Sequence, residues 1–195
     1  MAAWNPAGIV LAAGRSVRFG RDKRLEVVDG QPMLLRAADL LKRVVADTVV
    51  VLGPQDFEHA ALLERHGISS VICPDAHLGM GRSLAYAVGQ RADAAGWLIM
   101  PADLPYMRPD TVTIVLDAAR RHELAAPVHA GRRGHPVWFS RRFGPELCAL
   151  SGDEGARSIL RAQAATAGQP QGLALIDVPD QGCVLDIDTL QDLQG

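Results

Sequence analysis

The sequence contains few aromatic residues, no paired-cysteine motif and no excess of charge of one sign. Aromatic residues make up 5% of its 195 residues, too few for the stacked walls that bind single-stranded nucleic acid. The 20 basic and 22 acidic residues leave a net charge of −2, so no overall basic field attracts nucleic acid or an anionic membrane. We therefore expect neither nucleic acid nor a membrane as a partner.

Cysteine pairs, long apolar runs and a secretory leader are also missing. Cys73, Cys148 and Cys183 lie far apart and no CxxC pair is present, which excludes zinc ribbons and redox dithiols. The longest apolar runs reach about seven residues, whereas a membrane-spanning helix needs about 20. Residues 1–6 lack the basic start and apolar run of a signal peptide. These features predict a cytoplasmic protein.

The sequence does contain a regular alternation of short apolar runs and helical patterns. The apolar runs 7–13, 48–52, 69–73 and 96–100 are each followed by a segment with helical spacing. This order predicts an α/β fold: three α/β/α layers around a Rossmann-like, mostly parallel sheet. Because such sheets bind ligands at the carboxyl ends of their strands, motifs that directly follow a strand are the candidate sites.

The remainder of the chain is less regular. Strands are expected at 125–129 and 136–139, around a turn at 131–134, and later at 173–178 and 184–187. A helix is expected at 154–165, and a short helix at 189–193 closes the chain. No linker is long enough to separate two domains, so residues 1–195 are expected to form a single domain.

A small, basic loop, residues 11–23 with the sequence LAAGRSVRFGRDK, follows the first apolar run. Small residues let a backbone approach an anion, and successive N–H groups can form an anion-binding nest. The positive charges of the loop add to this, and together they suit a triphosphate. A solvated basic loop with turn glycines is the alternative. The loop matches neither the Walker A motif nor the dinucleotide fingerprint GxGxxG.

The pattern LAAGxSxRxGxxK within this loop resembles the signature of the MobA-like nucleotidyltransferases, a group of the GT-A-like superfamily. In that family the loop holds the triphosphate of a nucleoside triphosphate. The resemblance implies that Arg18 and Lys23 are catalytic, because they neutralise the charge that develops. It also implies a set of nucleotide-binding residues in the loop: Leu11, Ala12, Ala13, Gly14, Arg15, Ser16, Arg18 and Lys23.

A second motif, CPDAHLGMGRSL at 73–84, resembles the family loop that borders the nucleotide and the second substrate. The resemblance implies that Gly79 and Ser83 bind the nucleotide, and an ordinary helix cap is the alternative. Cys73 and Ala76 stand where the family usually has asparagine and tryptophan.

Three carboxylates are candidate magnesium ligands. Asp103 follows the predicted strand 96–100. A carboxylate at the carboxyl end of a strand can ligate Mg²⁺, and the family has Asp-x-Pro at this place. Asp186 and Asp188 lie in a closing motif that resembles the family's DIDTPEDL. Two residues apart on a strand, they would point to the same face. We expect Asp103 to be the main, catalytic ligand and Asp186 or Asp188 the second. If Asp188 instead caps the last helix, Asp186 is the expected second ligand.

Two further motifs resemble family segments that lie near the acceptor substrate: GRRGHPVWF at 131–139 and LSGDEGAR at 150–157. The resemblance implies acceptor contacts from His135, Asp153 and Arg157. The residues alone also allow a plain hairpin around His135, a helix N-cap at Asp153 and a surface salt bridge from Arg157.

The matched motifs are most similar to the molybdenum cofactor cytidylyltransferase branch. The first loop reads LAAG, where guanylyltransferases usually have LAGG, and the segments GHP and GDxGAR favour the same branch. The resemblance implies Mg²⁺-dependent transfer of a nucleotide from CTP to molybdopterin with release of pyrophosphate. Residues of about 7–122 would bind the nucleotide, and about 123–195 the phosphorylated pterin. A molybdoenzyme that receives the cofactor would be a further partner. Another nucleotide or acceptor on the same fold is one alternative, and a non-catalytic carrier of the cofactor is another.

Overall fold

A central sheet of eight strands organises the computed structural model, which describes residues 4–14, 19–164 and 172–193. The strands of this sheet are β1 (Pro6–Leu11), β4 (Thr48–Leu52), β5 (Ser69–Ile72), β6 (Gly96–Pro101), β7 (Leu124–His129), β8 (Arg132–Arg133), β9 (Val137–Ser140) and β10 (Leu173–Asp177). A separate two-stranded ribbon consists of β2 (Val27–Val28) and β3 (Gln31–Pro32).

The helices lie between these strands. They are α1 (Met33–Val44), α2 (Phe57–Arg65), α3 (Met80–Gln90), α4 (Pro109–Ala118), α5 (Gly144–Cys148) and α6 (Arg157–Ala164). Short 3-10 turns lie at Lys23–Leu25, Ala76–Leu78, Arg141–Phe143, Gln181–Cys183 and Leu190–Leu193.

The strand order is β10-β7-β9-β6-β1-β4-β5, with β8 added on β7. Neighbours pair in parallel from β6 through β1 and β4 to β5, and β10 is parallel to β7. Strand β9 runs antiparallel to both of its neighbours. The predicted mostly parallel sheet is therefore confirmed, and the carboxyl ends of β1, β4 and β6 meet at one edge.

Alternate residues of the central strands pack into two cores on opposite faces of the sheet. Val10 and Val50 lie in the core that contains residues of α1, α2 and α4. Ile9 and Val49 lie in the core that contains residues of α3, α5 and α6. Since successive side chains of a strand point to opposite faces, the two cores correspond to the two helical layers. The three-layer prediction is confirmed.

Two elements differ from the sequence-based expectation. The strand predicted at 184–187 is absent, although Val184 and Ile187 are buried. Ile187 instead donates its backbone N–H to the Asp103 carbonyl (2.9 Å) and packs with a small cluster that includes Phe19 and Met33. Residues 184–187 are thus held by apolar packing and by this backbone hydrogen bond, and not by pairing with a strand. The ribbon of β2 and β3 was not predicted.

Candidate functional site

A cavity of about 1090 Å³ opens where β1, β4 and β6 end. Its walls come from the loop after β1 (11–14), the turn after β4 (53–56), the region from 76 to 83, and the end of β6 (101–103). Lys23, Arg24, Asp153, Arg157 and Asp188 complete the lining, with Phe19 and Met33. The position agrees with the rule that open α/β sheets bind ligands at the carboxyl ends of their strands.

The side chain of Lys23 joins three groups across this cavity. Its Nζ donates to Asp103 Oδ2 (2.8 Å), Asp188 Oδ1 (3.0 Å) and the Ile187 carbonyl (2.8 Å). Burial opposes the ammonium charge, but Asp103 and Asp188 outweigh it, so the pKa of Lys23 lies above its usual value. The structure therefore brings Lys23, Asp103 and Asp188 together, although they are up to 165 residues apart in the chain.

Asp103 has one carboxylate oxygen engaged and one free of hydrogen bonds. Oδ2 accepts from Lys23, whereas Oδ1 is buried and has no hydrogen-bond partner among the described residues. A buried polar atom without a partner calls for an explanation, and binding of a metal ion is one of them. Magnesium is commonly held by one or two carboxylates together with substrate phosphates and water. Asp103 and Asp188 fit such an ion.

The two late aspartates have different positions. Asp188 lines the cavity, whereas Asp186 is exposed and is not part of its lining. Because residues 185–188 have no regular secondary structure, the prediction that both carboxylates share one face of a strand is wrong. At the start of the last turn, the backbone N–H groups of Asp188 and Thr189 donate to the Asp192 carboxylate (2.9 and 2.6 Å). No group of three metal-ligating side chains occurs within residues 4–14, 19–164 and 172–193.

The loop after β1 forms one wall of the cavity through Leu11, Ala12, Ala13 and Gly14. Neighbouring strands fix its start: Ala12 N donates to the Val51 carbonyl (3.0 Å), and the Leu11 carbonyl accepts from Ala102 N (3.0 Å). The other predicted nucleotide-binding residues of this loop, Arg15, Ser16 and Arg18, lie outside the described residues.

Gly79 and Ser83 form the wall that begins α3. Gly79 has φ +110°, and a Cβ at this position would lie 2.4 Å from the carbonyl group of Gly152. Directly beyond it, Gly81 N donates to the Gly152 carbonyl (2.7 Å). Ser83 is buried against the cavity. The start of α3 and the segment around Gly152 are therefore in direct backbone contact.

Asp153 and Arg157 follow Gly152 and are exposed at the same cavity. Helix α6 begins at Arg157, so Asp153 lies four residues before it and is not its N-cap. These two side chains provide one negative and one positive group at the cavity wall.

His135 does not line the cavity but lies close enough to Asp103 and Asp186 for their charges to act on it. Its Nδ1 is buried without a hydrogen-bond partner among the described residues. Burial lowers the pKa of His135, and the charge of Asp103 acts in the opposite direction. The imidazole is therefore neutral near pH 7, which disfavours direct binding of a phosphate.

Sequence reasoning missed the side of the cavity formed by Arg24 and the turn from Gly53 to Asp56. The signal for the turn was present, because Gly53-Pro54 directly follows an apolar run whose end lies at the ligand-binding edge. Arg24 carried no such signal, since its partners lie 2, 12 and 32 residues away in the sequence.

In the part of the chain that the structure describes, every helix is too short or too polar to cross a bilayer.

Two bacterial proteins are among the relatives to which this chain is similar in sequence. The chain is 30% identical to the purine catabolism protein PucB of Bacillus subtilis, over 93% of this chain and 91% of that one. It is 36% identical to the molybdenum cofactor guanylyltransferase of Xanthomonas euvesicatoria, over 62% of this chain and about half (53%) of that protein.

Solved structures show the same architecture over nearly the whole chain. The crystal structure of Rv0371c from Mycobacterium tuberculosis superposes with a TM-score of 0.80 and 28% identity, covering 97% of this chain and 96% of that one. The same protein in complex with manganese gives a TM-score of 0.77 at 26% identity, with the same coverage.

The family described as the MobA-like NTP transferase domain matches residues 8–167, which contain every lining residue of the cavity except Asp188. The resemblance seen in the sequence motifs is thereby confirmed at the level of the family. This chain belongs to the MobA-like NTP transferase family.

Proposed function

We propose that this nucleotidyltransferase transfers CMP from CTP to the phosphate of a molybdopterin-type acceptor, with magnesium bound, and releases pyrophosphate. The observation that carries the proposal is the meeting of Lys23, Asp103 and Asp188 in one cavity beside the loop 11–14. Phosphoryl-group transfer needs a positive charge to neutralise the developing negative charge and carboxylates that can hold a metal ion. Lys23, Asp103 and Asp188 supply both.

In the proposed reaction an oxygen of the acceptor phosphate attacks the α-phosphorus of the nucleotide. The bond from the α-phosphorus to the bridging oxygen breaks, and its electron pair leaves with pyrophosphate. Because the acceptor phosphate is already anionic, no strong general base is needed. Catalysis then consists of positioning and charge neutralisation. His135, neutral and outside the cavity lining, takes no part in the proton balance.

The residues have distinct roles in this proposal. The backbone of residues 11–14 lies along the triphosphate, and Lys23 neutralises the charge that collects on the leaving pyrophosphate. Asp103 and Asp188 would hold a magnesium ion, whose charge would polarise the α-phosphate. The free Oδ1 of Asp103 supports this assignment. Asp153 and Arg157 contact the acceptor, with the guanidinium near its phosphate.

The preference for CTP is supported by the LAAG sequence of the first loop, in which Ala13 lines the cavity. The Xanthomonas relative is named a guanylyltransferase, so GTP is the second candidate nucleotide. The three cysteines are free, which fits a reducing cytoplasm.

Calorimetric titration with CTP, GTP, ATP and UTP, each with MgCl₂, tests the nucleotide. We expect CTP to bind most tightly, after which pyrophosphate release with molybdopterin as acceptor tests the reaction. Tighter binding of GTP would transfer the proposal to guanylyl transfer. Absence of binding by all four nucleotides would contradict an enzyme that uses a triphosphate and favour a cofactor carrier.

A further inference from the structure

Lys23 and Arg24 are consecutive residues of one 3-10 turn, yet their side chains reach different parts of the site. Lys23 contacts Asp103 and Asp188, as described above. Arg24 reaches back to the Ala12 carbonyl (2.7 Å) in the loop after β1 and to Asp56, at the end of the turn after β4. One short turn is thus bonded to segments on several sides of the cavity.

Arg24 uses all five of its N–H donors within the protein. Nε and Nη2 donate to the two oxygens of Asp22 (2.8 and 2.7 Å), and Nη1 and Nη2 donate to the two oxygens of Asp56 (2.6 and 2.8 Å). The remaining Nη1 hydrogen goes to the Ala12 carbonyl. Although the guanidinium lines the cavity, it has no donor left for a phosphate.

The charges around Arg24 are also satisfied internally. Its side chain is only 10% exposed and lies between two carboxylates. Burial works against the charged forms of Asp22 and Asp56, but the hydrogen bonds from Arg24 outweigh it and lower the pKa of both. A cation paired with two carboxylates does not attract a triphosphate in the way that a free arginine does.

The bond to Asp56 also fixes the turn after β4. Asp56 Oδ2, which accepts from Arg24, accepts from Gly53 N as well (2.7 Å). A Cβ on Gly53 would lie 3.1 Å from this same oxygen, so the turn and the carboxylate fit closely. Through Arg24, the Gly53 turn and the Ala12 carbonyl share one rigid connection.

We propose that Arg24 is a positioning residue that holds the loop 11–14 and the turn 53–56 at a fixed separation, so that the nucleotide enters a preformed site. Arg24 does not touch the nucleotide. Lysine cannot replace it, because one ammonium group cannot serve two carboxylates bidentately and a carbonyl as well. This inference rests on the proposed function only in taking the cavity as the nucleotide site.

The test compares Arg24→Lys with the matched control Arg36→Lys. Arg36 also connects distant segments, by donating to the carbonyls of Pro105 (3.1 and 3.0 Å) and Val28 (3.2 Å), but it does not line the cavity. Titration with CTP and MgCl₂ gives Kd, thermal unfolding gives Tm, and pyrophosphate release gives kcat and KM.

We expect Arg24→Lys to raise Kd and KM for CTP about tenfold, because the loop 11–14 and the turn 53–56 would no longer be held at the separation that fits the nucleotide. The kcat at saturating CTP should stay within about threefold of the wild type. Arg36→Lys should lower Tm without changing Kd. Methylguanidinium should restore the nucleotide affinity of Arg24→Ala and leave Arg36→Ala unaffected. A purely structural role would give neither the KM effect nor the rescue.

Two outcomes separate this inference from the proposed function. If the wild type binds none of the four nucleotides, the proposed function fails. If the wild type binds and Arg24→Lys has the same Kd with a lower Tm, only the positioning role is overturned. Should Arg24→Lys not fold, Asp56→Asn tests the same connection. It should raise Kd in the same direction, and an unchanged Kd would overturn the inference.

Discussion

At the scale of single residues, the site depends on charges that are close together and only partly exposed. Lys23 and Asp103 are 15% and 22% exposed, and the ammonium is shared with Asp188, which is 42% exposed. Each carboxylate is balanced by the same cation, so removing one of them changes the environment of the other two.

Asp103→Asn tests the main carboxylate with little change in shape. Lys23 keeps Asp188 and the Ile187 carbonyl as partners, so the fold should persist with Tm within a few degrees. We expect kcat to fall about 100-fold or more, because a preorganised charge at the reacting phosphate is lost. Pyrophosphate release and circular dichroism melting measure the two effects, and activity near the wild-type value would contradict the assignment.

The cysteines give a prediction on reactivity and pH. Cys73 and Cys183 are buried and Cys148 is exposed, and burial raises the pKa of Cys183 to about 11. We expect Ellman's reagent at pH 8 to titrate one thiol per native chain, and three after denaturation. Since the folded pKa exceeds the unfolded value of 9.0, stability from the neutral Cys183 thiol is fully present below pH 9.

That contribution should be lost as the pH rises through 11. Cys183→Ala should therefore show a shallower loss of Tm between pH 9 and 11 than the wild type. Rapid reaction of two or more thiols in the native protein at pH 8 would be at odds with the burial of Cys73 and Cys183.

Among single residues, those that follow a strand in a motif could be predicted, and those in a side-chain network could not. Asp103 and Lys23 belong to recognisable motifs, and the structure places them in contact. Arg24 directly follows the basic loop 11–23, and nothing in the sequence distinguishes it from the arginines of that loop. Its role depends on Asp56, 32 residues away, and such a pairing becomes visible only when the chain is folded.

At the scale of elements, the position of helix α3 depends on the glycine that precedes it, Gly79, which packs closely against Gly152. Gly79 has a positive φ and no space for a side chain, whereas Gly89, near the end of the same helix, has open space around its Cβ direction. A side chain is therefore excluded at Gly79 but tolerated at Gly89, although both glycines belong to the segment that carries Ser83.

Gly79→Ala and Gly89→Ala form a matched pair. We expect Gly79→Ala to destabilise the protein by about 1–3 kcal/mol through backbone strain and to reduce turnover, because its methyl group would displace Gly152. Gly89→Ala should stabilise it by about 0.5–1 kcal/mol, since alanine favours the helix. Urea unfolding and pyrophosphate release measure both; equal stability of the two variants would contradict the close fit.

The apolar runs that became β1, β4 and β6 could be predicted because their residues are buried on both faces and show no alternation. The run at 184–187 has similar residues but is not a strand. Val184 and Ile187 are buried in hydrophobic clusters without pairing in the sheet, and apolar residues alone do not distinguish that burial from burial in a strand.

At the scale of the whole molecule, the sheet runs without interruption from β5 to β10. Strand β9 lies between β6 and β7 and is paired to both, so the predicted nucleotide and acceptor parts share one sheet. A second connection runs through Asp180, whose carboxylate accepts from Thr111 Oγ1 (2.5 Å), Arg108 N (2.9 Å) and Gly182 N (3.0 Å).

Asp180→Ala should weaken this connection between the start of α4 and the segment that leads to Asp188. Asp180 is 4% exposed, and its loss leaves buried donors without a partner, which costs about 3 kcal/mol. Asp110→Ala is the control, because Asp110 lies on the same helix but is exposed, and we expect a change of about 0.5 kcal/mol there. Similar urea midpoints for both variants would count against the connection.

The contact between Gly79 and Gly152 limits how the geometry of the cavity can change by substitution. A Cβ on Gly79 would lie 2.4 Å from the Gly152 carbonyl group and 2.7 Å from Asp153 Oδ1, so the gap between the wall at Ser83 and the wall at Asp153 leaves no room for a side chain at position 79. Substitution can alter that gap only in steps of a methyl group or more, and a shift of about 1 Å is already costly for a reaction that needs alignment. If Asp153 and Arg157 contact the acceptor as proposed, acceptors of different size would be accommodated through these two exposed side chains, while the gap itself stays constant.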